Sequence, residues 1–354
     1  MKRFFYLAVI SVVFALGSSA VAQDDLSIFG FFQSRLEYSN VKNTFTLEIP
    51  GMEQTTEDVS KTLSPGVQQL NVFMMKELAD DYSAWVNFEM VNSFSTERGW
   101  GEFNLEEAWV KYRKNRGFSL KAGYLIPVFN NLNEVKNRMP YLPYIMRPLV
   151  YEASMSGVVD ISDFLPERAF LQAYGAAPAG KANVEYAVFI GPGERSLFAS
   201  KNDPAGTGTP GADTTTFVEV GGRLGVKVAG LKAGVSGTLD KDNQQQMLGE
   251  HVQRVRFGSD FSGTINKIFF EAEVILVKED PKADVDLDKT FWYGTLGYQL
   301  ANGVFVYGMY SYVKDANSPY FGEGINAVFG GVNCQLTNGL LLKAQGLKFM
   351  SNDT

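Results

Sequence analysis

After residue 25 the chain is a succession of segments, each about ten residues long, in which apolar and polar side chains alternate. Short turns and long loops connect these segments in alternation, and the short turns include 79–81, 114–117 and 301–303. A period of two places successive side chains on opposite faces of a strand. The pattern predicts an all-β chain of antiparallel strands, arranged as an up-and-down β-barrel.

The two faces of each predicted strand differ in polarity. In the strand predicted at 216–229, Val220 and Leu224 share one face, and Glu219 and Arg223 share the other. A soluble β-sandwich would alternate in the same way, with one face in water. Membrane strands need about 9–11 residues, whereas sandwich strands cluster near 5–6. The longer strands, with aromatic residues near their ends, favour a transmembrane barrel, and a periplasmic β-rich binding or structural protein is the alternative.

The amino terminus has the features of a secretory signal peptide. Lys2 and Arg3 precede an apolar segment at 4–16, and 20–22 reads Ala-Val-Ala, a pattern that signal peptidase cleaves. The sequence therefore predicts a signal peptide at 1–22 and an exported β-barrel domain at 23–354. A membrane anchor is the alternative for the apolar segment.

The number of predicted strands is odd. Bacterial single-chain barrels have even strand numbers, with both ends on the periplasmic side. We therefore predict a barrel of about 16 strands whose last strand is missing from this sequence. The fifteen predicted strands are 26–39, 68–78, 82–91, 105–113, 118–125, 168–176, 182–190, 216–229, 231–239, 252–265, 267–278, 289–300, 303–313, 323–336 and 339–349.

The connection at 126–166 is unusually long and rich in proline. Loops of this size tend to be functional. In a barrel, such a loop can fold inward and narrow the mouth, and an Ω-loop on the surface is the alternative. Its prolines are Pro127, Pro140, Pro143, Pro148 and Pro166.

Three segments around this loop carry a family resemblance. They read Leu-Glu-Glu-Ala-Trp-Val-Lys-Tyr at 105–112, Leu-Lys-Ala-Gly-Tyr-Leu-Ile-Pro-Val-Phe at 120–129 and Pro-Glu-Arg-Ala-Phe-Leu-Gln-Ala-Tyr-Gly at 166–175. Together they resemble the phosphate-selective porin O/P family of Gram-negative bacteria. The resemblance implies a homotrimeric porin in the cell outer membrane, in contact with its lipid. It also implies a water-filled channel for passive diffusion of small hydrophilic solutes or ions, with an anion or phosphate preference.

Charged residues on the predicted polar faces and in the loop are candidates for the pore wall. Rings of charged side chains set the selectivity of such pores, although the same charges can also pair across neighbouring strands. The loop cations are interrupted by Glu134, Glu152, Asp160 and Asp163. The candidate pore-lining and constriction residues are Lys111, Arg113, Lys121, Lys136, Arg138, Arg147, Arg223, Lys227, Arg254, Arg256, Glu271 and Glu273.

The composition argues against several other functions. The formal net charge of −7 does not favour a nucleic-acid partner. His251 is the only histidine and Cys334 the only cysteine, which leaves no histidine-rich zinc site and no motif around a catalytic histidine. We therefore predict no enzyme activity, cofactor or metal. An outer-membrane enzyme built on a barrel scaffold is the remaining alternative.

Overall fold

The chain folds into one closed antiparallel barrel. The structure is a computed structural model that describes residues 4–16, 26–49, 52–92, 102–155, 159–192, 217–243, 251–280, 288–315 and 322–351. These residues form sixteen strands, in which each strand pairs with its neighbours in sequence and the last pairs with the first. The strands are β1 (Phe4–Leu16), β2 (Leu26–Ile49), β3 (Met52–Ala79), β4 (Tyr82–Val91), β5 (Glu102–Asn115), β6 (Phe118–Leu125), β7 (Ala169–Ala179), β8 (Ala182–Pro192), β9 (Val218–Val228), β10 (Leu231–Asn243), β11 (His251–Ile265), β12 (Ile268–Asp280), β13 (Lys289–Ala301), β14 (Val304–Asp315), β15 (Ile325–Thr337) and β16 (Leu340–Ser351).

The all-β, up-and-down architecture predicted from the alternation is confirmed. Each of the fifteen predicted strands corresponds to one of β2–β16, and two-residue turns join pairs such as β9 and β10. In that turn Ala229 and Gly230 both have positive φ, at 49° and 84°. Positive φ at both central residues is the geometry whose twist matches the flanking strands of a hairpin. Such two-residue turns follow every second strand from β3 to β15, so these turns lie together at one end of the barrel.

The connection predicted at 40–66 is instead a continuation of β2 and β3. The two strands pair as far as Ile49 and Met52, with one register shift next to Gln33. At about 3.3 Å per residue, strands of this length extend well beyond the hydrocarbon core, which is about 30 Å thick. The paired ends of β2 and β3 therefore lie beyond the membrane-spanning part of the barrel.

Strand β1 occupies the position between β2 and β16. It pairs with β16 from Phe4–Met350 to Phe14–Leu340, and with β2 on its other side. The predicted signal segment is thus a strand in the structure. It is rich in valine and phenylalanine, which favour strands, and it satisfies backbone groups that would be costly to leave unpaired in hydrocarbon. The structure therefore has one strand beyond the fifteen predicted ones, and the signal peptide at 1–22 stays a prediction.

Side-chain exposure separates an outer from an inner face. On β11, Val255 and Phe257 are 43% and 50% exposed, whereas Arg254 and Arg256, which alternate with them, are fully buried. On this strand the outer face is apolar and the inner face is charged, as the period of two predicts. None of the helices in the described part of the chain is long and apolar enough to cross a membrane. The longest of them, α1, is Ile161–Phe164.

Candidate pore constriction

The long loop after β6 lies inside the barrel. Strand β6 has only 8 residues, so the chain leaves the wall early and returns at Ala169 of β7. Gln172 of β7 accepts a hydrogen bond at 2.8 Å from the amide of Val128 at the start of the loop. The loop then forms short helical turns at Asn133–Val135, Met139–Tyr141, Leu149–Tyr151 and Ala153–Met155, followed by α1.

Apolar packing fixes the loop against β12–β16. Phe129, Val150 and Phe164 of the loop are completely buried and join one hydrophobic cluster with inward side chains such as Phe291 and Phe329. Burying each such side chain contributes about 1.5–3 kcal/mol. The inner faces of β14 and β15 are therefore apolar as well as the outer faces. This is why alternation alone does not assign the faces of these two strands.

Glu271 and Glu273 of β12, candidates for the pore wall, lie beneath the loop. The carboxylate of Glu273 accepts hydrogen bonds from the amides of Asn131 at 3.0 Å and Leu132 at 2.9 Å, and from the Tyr151 hydroxyl. Glu271 accepts a hydrogen bond at 2.8 Å from the hydroxyl of Tyr144. Both side chains are buried. Their carboxylates hold the loop to the wall.

Arg254 and Arg256 of β11 are the centre of a buried ionic network. Arg254 contacts Asp163 of α1 at 2.6 Å and Asp240 of β10 at 3.3 Å. Arg256 contacts Asp240 at 3.1 Å and donates to the carbonyl oxygen of Ser162 at 2.6 Å. The sequence leaves two interpretations open for these charges, a ring that lines the pore or pairs across neighbouring strands. The contacts of Arg254 and Arg256 are those of paired charges. This network fastens the end of the loop to the barrel wall.

Asp163 is the shared acid of this network. Burial alone would raise the pKa of the Asp163 carboxyl, but the nearby ammonium of Lys289 and guanidinium of Arg254 hold it below the usual value.

Arg223 forms a separate buried pair with Asp260, whose oxygens accept hydrogen bonds at 2.9 and 2.6 Å. Arg223 is therefore also neutralised by a partner on the wall.

Of the three loop cations, Arg147 and Lys136 are buried and Arg138 is half-buried. Arg147 donates to the carbonyl oxygen of Lys136 at 2.6 Å and contacts the Glu152 carboxylate at 3.4 Å. Burial would raise the pKa of Glu152, but Arg147 holds it below its usual value. Arg147 therefore shapes the loop from within, and Arg138 is the loop cation with the most access to water.

Lysines lie directly opposite each other at two places on the inner face. Lys111 of β5 is opposite Lys121 of β6, and Lys227 of β9 is opposite Lys232 of β10. Lys121 contacts Glu134 of the loop at 2.7 Å, and Lys232 contacts Glu185 at 3.2 Å. Like charges directly opposite destabilise a sheet. Their presence at two places is therefore unfavourable for the stability of the barrel.

We call Lys111, Arg113, Lys121, Lys227 and Lys232 the basic wall. Within the described part of the chain, Lys111, Arg113 and Lys227 have no carboxylate within 4.0 Å. Arg113 and Lys227 are exposed, and Lys111 is half-buried. These three cations therefore keep their charge available to the lumen.

The basic wall adjoins an aromatic row that periodicity alone does not reveal. Trp85 of β4 and Trp109 of β5 are opposite each other, and their rings stack with centroids 5.9 Å apart. The Lys121 ammonium lies 4.7 Å from the Trp109 ring centroid and 5.2 Å from that of Tyr174. These cation–π contacts and Glu134 orient Lys121 in the lumen.

Comparison with known proteins agrees with this geometry at the level of the fold. No protein-family model and no curated protein matches the chain. An anion-selective porin from Comamonas acidovorans matches with a TM-score of 0.50 and 11% identity, over 99% of each chain. OmpF of Salmonella typhi, in complex with daunomycin, matches with a TM-score of 0.52 and 9% identity, also over 99% of each chain.

The fold is that of the outer-membrane porins. At these identities the likeness establishes the architecture alone. The narrower resemblance to the phosphate-selective porin O/P family stays a prediction, since no family model matches the chain. The solute and the ion preference have to be argued from the side chains inside the barrel.

Proposed function

We propose that this chain is an outer-membrane porin of a Gram-negative bacterium, through which small hydrophilic solutes diffuse passively, with a preference for anions. A barrel of 16 strands is wide enough to contain an aqueous channel. The observation that carries the anion preference is the basic wall, with its two like-charged lysine pairs on the inner face. Rings of lysine and arginine side chains favour anions in such pores.

The distribution of acids and bases inside the barrel supports this preference. Glu271 and Glu273 bond to the loop, and Asp163 and Asp240 bond to buried arginines. These carboxylates are withdrawn from the lumen. The basic wall lies on the strands that the apolar core of the loop does not cover, and three of its cations are unpaired among the described residues. A diffusing ion therefore meets a net positive surface beside Glu134.

The outer surface supports a membrane location over the periplasmic alternative. Val188, Leu224 and Leu296 are 56%, 55% and 64% exposed on the outside of strands in the closed barrel. Soluble monomers rarely expose such a continuous apolar surface. Lipid and neighbouring copies of the chain would cover it, in keeping with the homotrimer that the sequence resemblance implies. The partners we propose are therefore outer-membrane lipid, two further copies and small hydrophilic solutes.

Reversal potentials of the purified protein in planar bilayers, measured across a KCl gradient, test the proposal. Replacing Lys111 and Lys227 by Glu is expected to move the reversal potential toward the cation side. Lys61 is exposed on the extension of β3, away from the basic wall, so Lys61→Glu is a control for each single Lys→Glu substitution. An unchanged reversal potential in the folded double variant would exclude the basic wall as the source of selectivity. Absence of channels in the unmodified protein would exclude a porin.

A further inference from the structure

Lys343 of β16 is completely buried and reaches into the loop. Its ammonium donates hydrogen bonds to three loop carbonyl oxygens, those of Met139 at 3.0 Å, Leu142 at 2.7 Å and Tyr144 at 2.9 Å. A lysine ammonium has three N–H donors and no acceptor. All three donors are therefore used, and all three acceptors belong to one short segment of the loop.

The site around Lys343 differs from that of Lys289, another buried lysine of the barrel wall. Lys289 is surrounded by the carboxylates of Asp163, Glu279 and Asp315. Within the described part of the chain, no carboxylate lies within 4.0 Å of the Lys343 ammonium. A buried charge without a counter-ion is costly unless it is well hydrogen-bonded. Here the dipoles of three carbonyl groups provide the compensation.

The three carbonyl groups converge because of the local fold of the loop. In the turn Met139–Tyr141, the Met139 carbonyl oxygen accepts one hydrogen bond from the Leu142 amide at 3.2 Å and a second from Lys343, since a carbonyl oxygen has two lone pairs. Neutral amides anchor neighbouring residues of the loop: Asn333 donates to Pro143 O at 2.8 Å, and Gln345 accepts from the Met146 amide at 2.6 Å. Lys343 is therefore placed where three loop carbonyls meet.

We propose that Lys343 is a positioning residue of the pore, whose ammonium fixes the 138–144 segment of the loop against β16. This segment includes Arg138, the most accessible loop cation, and Tyr141, which is 85% exposed. Fixing the segment fixes both side chains in the lumen, and with them the width of the passage. The inference rests on the proposed channel function and adds the residue that holds its constriction in place.

Chemical rescue tests this role directly. In Lys343→Ala the cage of carbonyls is left without its ammonium. We expect larger open-channel current noise, and trypsin cleavage after Arg138 raised about tenfold, because proteolysis of an opened segment follows its open population. Adding n-butylammonium, which has three N–H donors on an alkyl stem, should lower both. Tetramethylammonium, which has no N–H donor, should lower neither.

Two matched variants separate positioning from folding. Lys343→Arg keeps a charged donor, whereas Lys343→Met keeps only the apolar stem. The current noise and trypsin cleavage of Lys343→Arg should therefore be closer to those of the unmodified protein. Asn333→Ala removes a neutral anchor of the same segment and should show less noise than Lys343→Ala. Quiet Lys343→Ala channels with a protected loop would overturn the proposal. So would rescue by both ammonium ions, or a set of Lys343 variants that do not fold while Asn333→Ala does.

The protease readout is independent of conduction. If the unmodified protein forms no channel, the proposed function fails, while cleavage after Arg138 still tests the anchor. If the channel conducts without anion preference, the basic wall fails, and the noise of Lys343→Ala still reports on the loop. The two proposals therefore fail in different measurements.

Discussion

Lys111 of β5 and Lys121 of β6 lie directly opposite each other on the inner face of the barrel, and only Lys121 has a carboxylate partner, Glu134 at 2.7 Å. The pair places an uncompensated positive charge in the lumen next to a compensated one. Burial would raise the pKa of Glu134, but Lys121 and then Arg138 hold it below its usual value. Glu134 is therefore ionised at neutral pH and limits the positive charge of the basic wall.

Replacing Glu134 by Gln should increase anion selectivity. The amide keeps a hydrogen-bond acceptor for Lys121 but removes one negative charge from the lumen, and pore selectivity follows the charge of the lining side chains. Reversal potentials at low ionic strength, where screening is weakest, provide the measurement. Asp81→Asn makes the same charge change on an exposed two-residue turn, where the described part of the chain has no ion pair to the Asp81 carboxylate, and serves as the control. A shift toward cations would contradict the prediction.

Shortening the loop should widen the channel. The segment 140–148 lies inside the barrel and is held there by Lys343, Asn333 and Gln345. Deleting it removes backbone and side chains from the lumen, so single-channel conductance should rise. Heat-modifiable migration on gels would show that the shortened protein still forms a barrel. Unchanged conductance in such a barrel would mean that another segment sets the width.

Arg254 and Lys227 should respond differently to substitution by Ala. Arg254 is completely buried among acids, and removing one partner of a buried ion pair typically costs about 3–5 kcal/mol. Arg254→Ala should therefore lower the resistance of the barrel to denaturant and leave the reversal potential unchanged. Lys227 is exposed, so Lys227→Ala should change the reversal potential and leave the resistance of the barrel to denaturant unchanged. Equal effects of the two variants on selectivity would show that Arg254 also acts on permeating ions.

The contrast between Arg254 and Lys227 shows which features of the site can be predicted from the sequence. The strands and the inward direction of Arg254 follow from a period of two, which is a local property of the chain. The partner Asp163 lies far away in sequence, in a loop whose path no local pattern determines. For the same reason Glu271 and Glu273 are predicted to face inward, but their bonds to the loop are not predictable. The apolar inner face of β14 becomes intelligible only once the loop is seen to cover it.

Asp160, which precedes α1, should make the loop more stable in mild acid. Burial, and then the charge of Asp163, raise the pKa of Asp160 to about 7. A carboxyl group has a pKa of about 3.9 in an unfolded chain, so between about pH 4 and 7 the folded state binds more protons than the unfolded state. Stability from this group is therefore lost as the pH rises through 7.

Comparing Asp160→Asn with the unmodified protein isolates this effect. Protection of the loop is measured by trypsin cleavage after Arg138. In the variant, protection should be equal at pH 5.5 and pH 8. At pH 8 the variant should be better protected than the unmodified protein. Asp163 has the opposite effect on stability, because its pKa is lowered. The stability that Asp163 contributes is lost only as the pH falls below the usual carboxyl range. An unmodified protein that is better protected at pH 8 than at pH 5.5 would contradict the assignment.

The amino terminus offers the last prediction. The sequence predicts cleavage before Gln23, on the evidence of Lys2, Arg3, the apolar segment that follows them and Ala20-Val21-Ala22. In the structure, however, Phe4–Leu16 forms β1 between β2 and β16. The intact mass and amino-terminal sequence of protein extracted from outer membranes distinguish the two, and we expect a mature chain that begins at Gln23. Ala22→Trp should then accumulate as an uncleaved precursor. A membrane-extracted barrel that retains residues 4–16 would refute the signal peptide and establish β1 as its first strand.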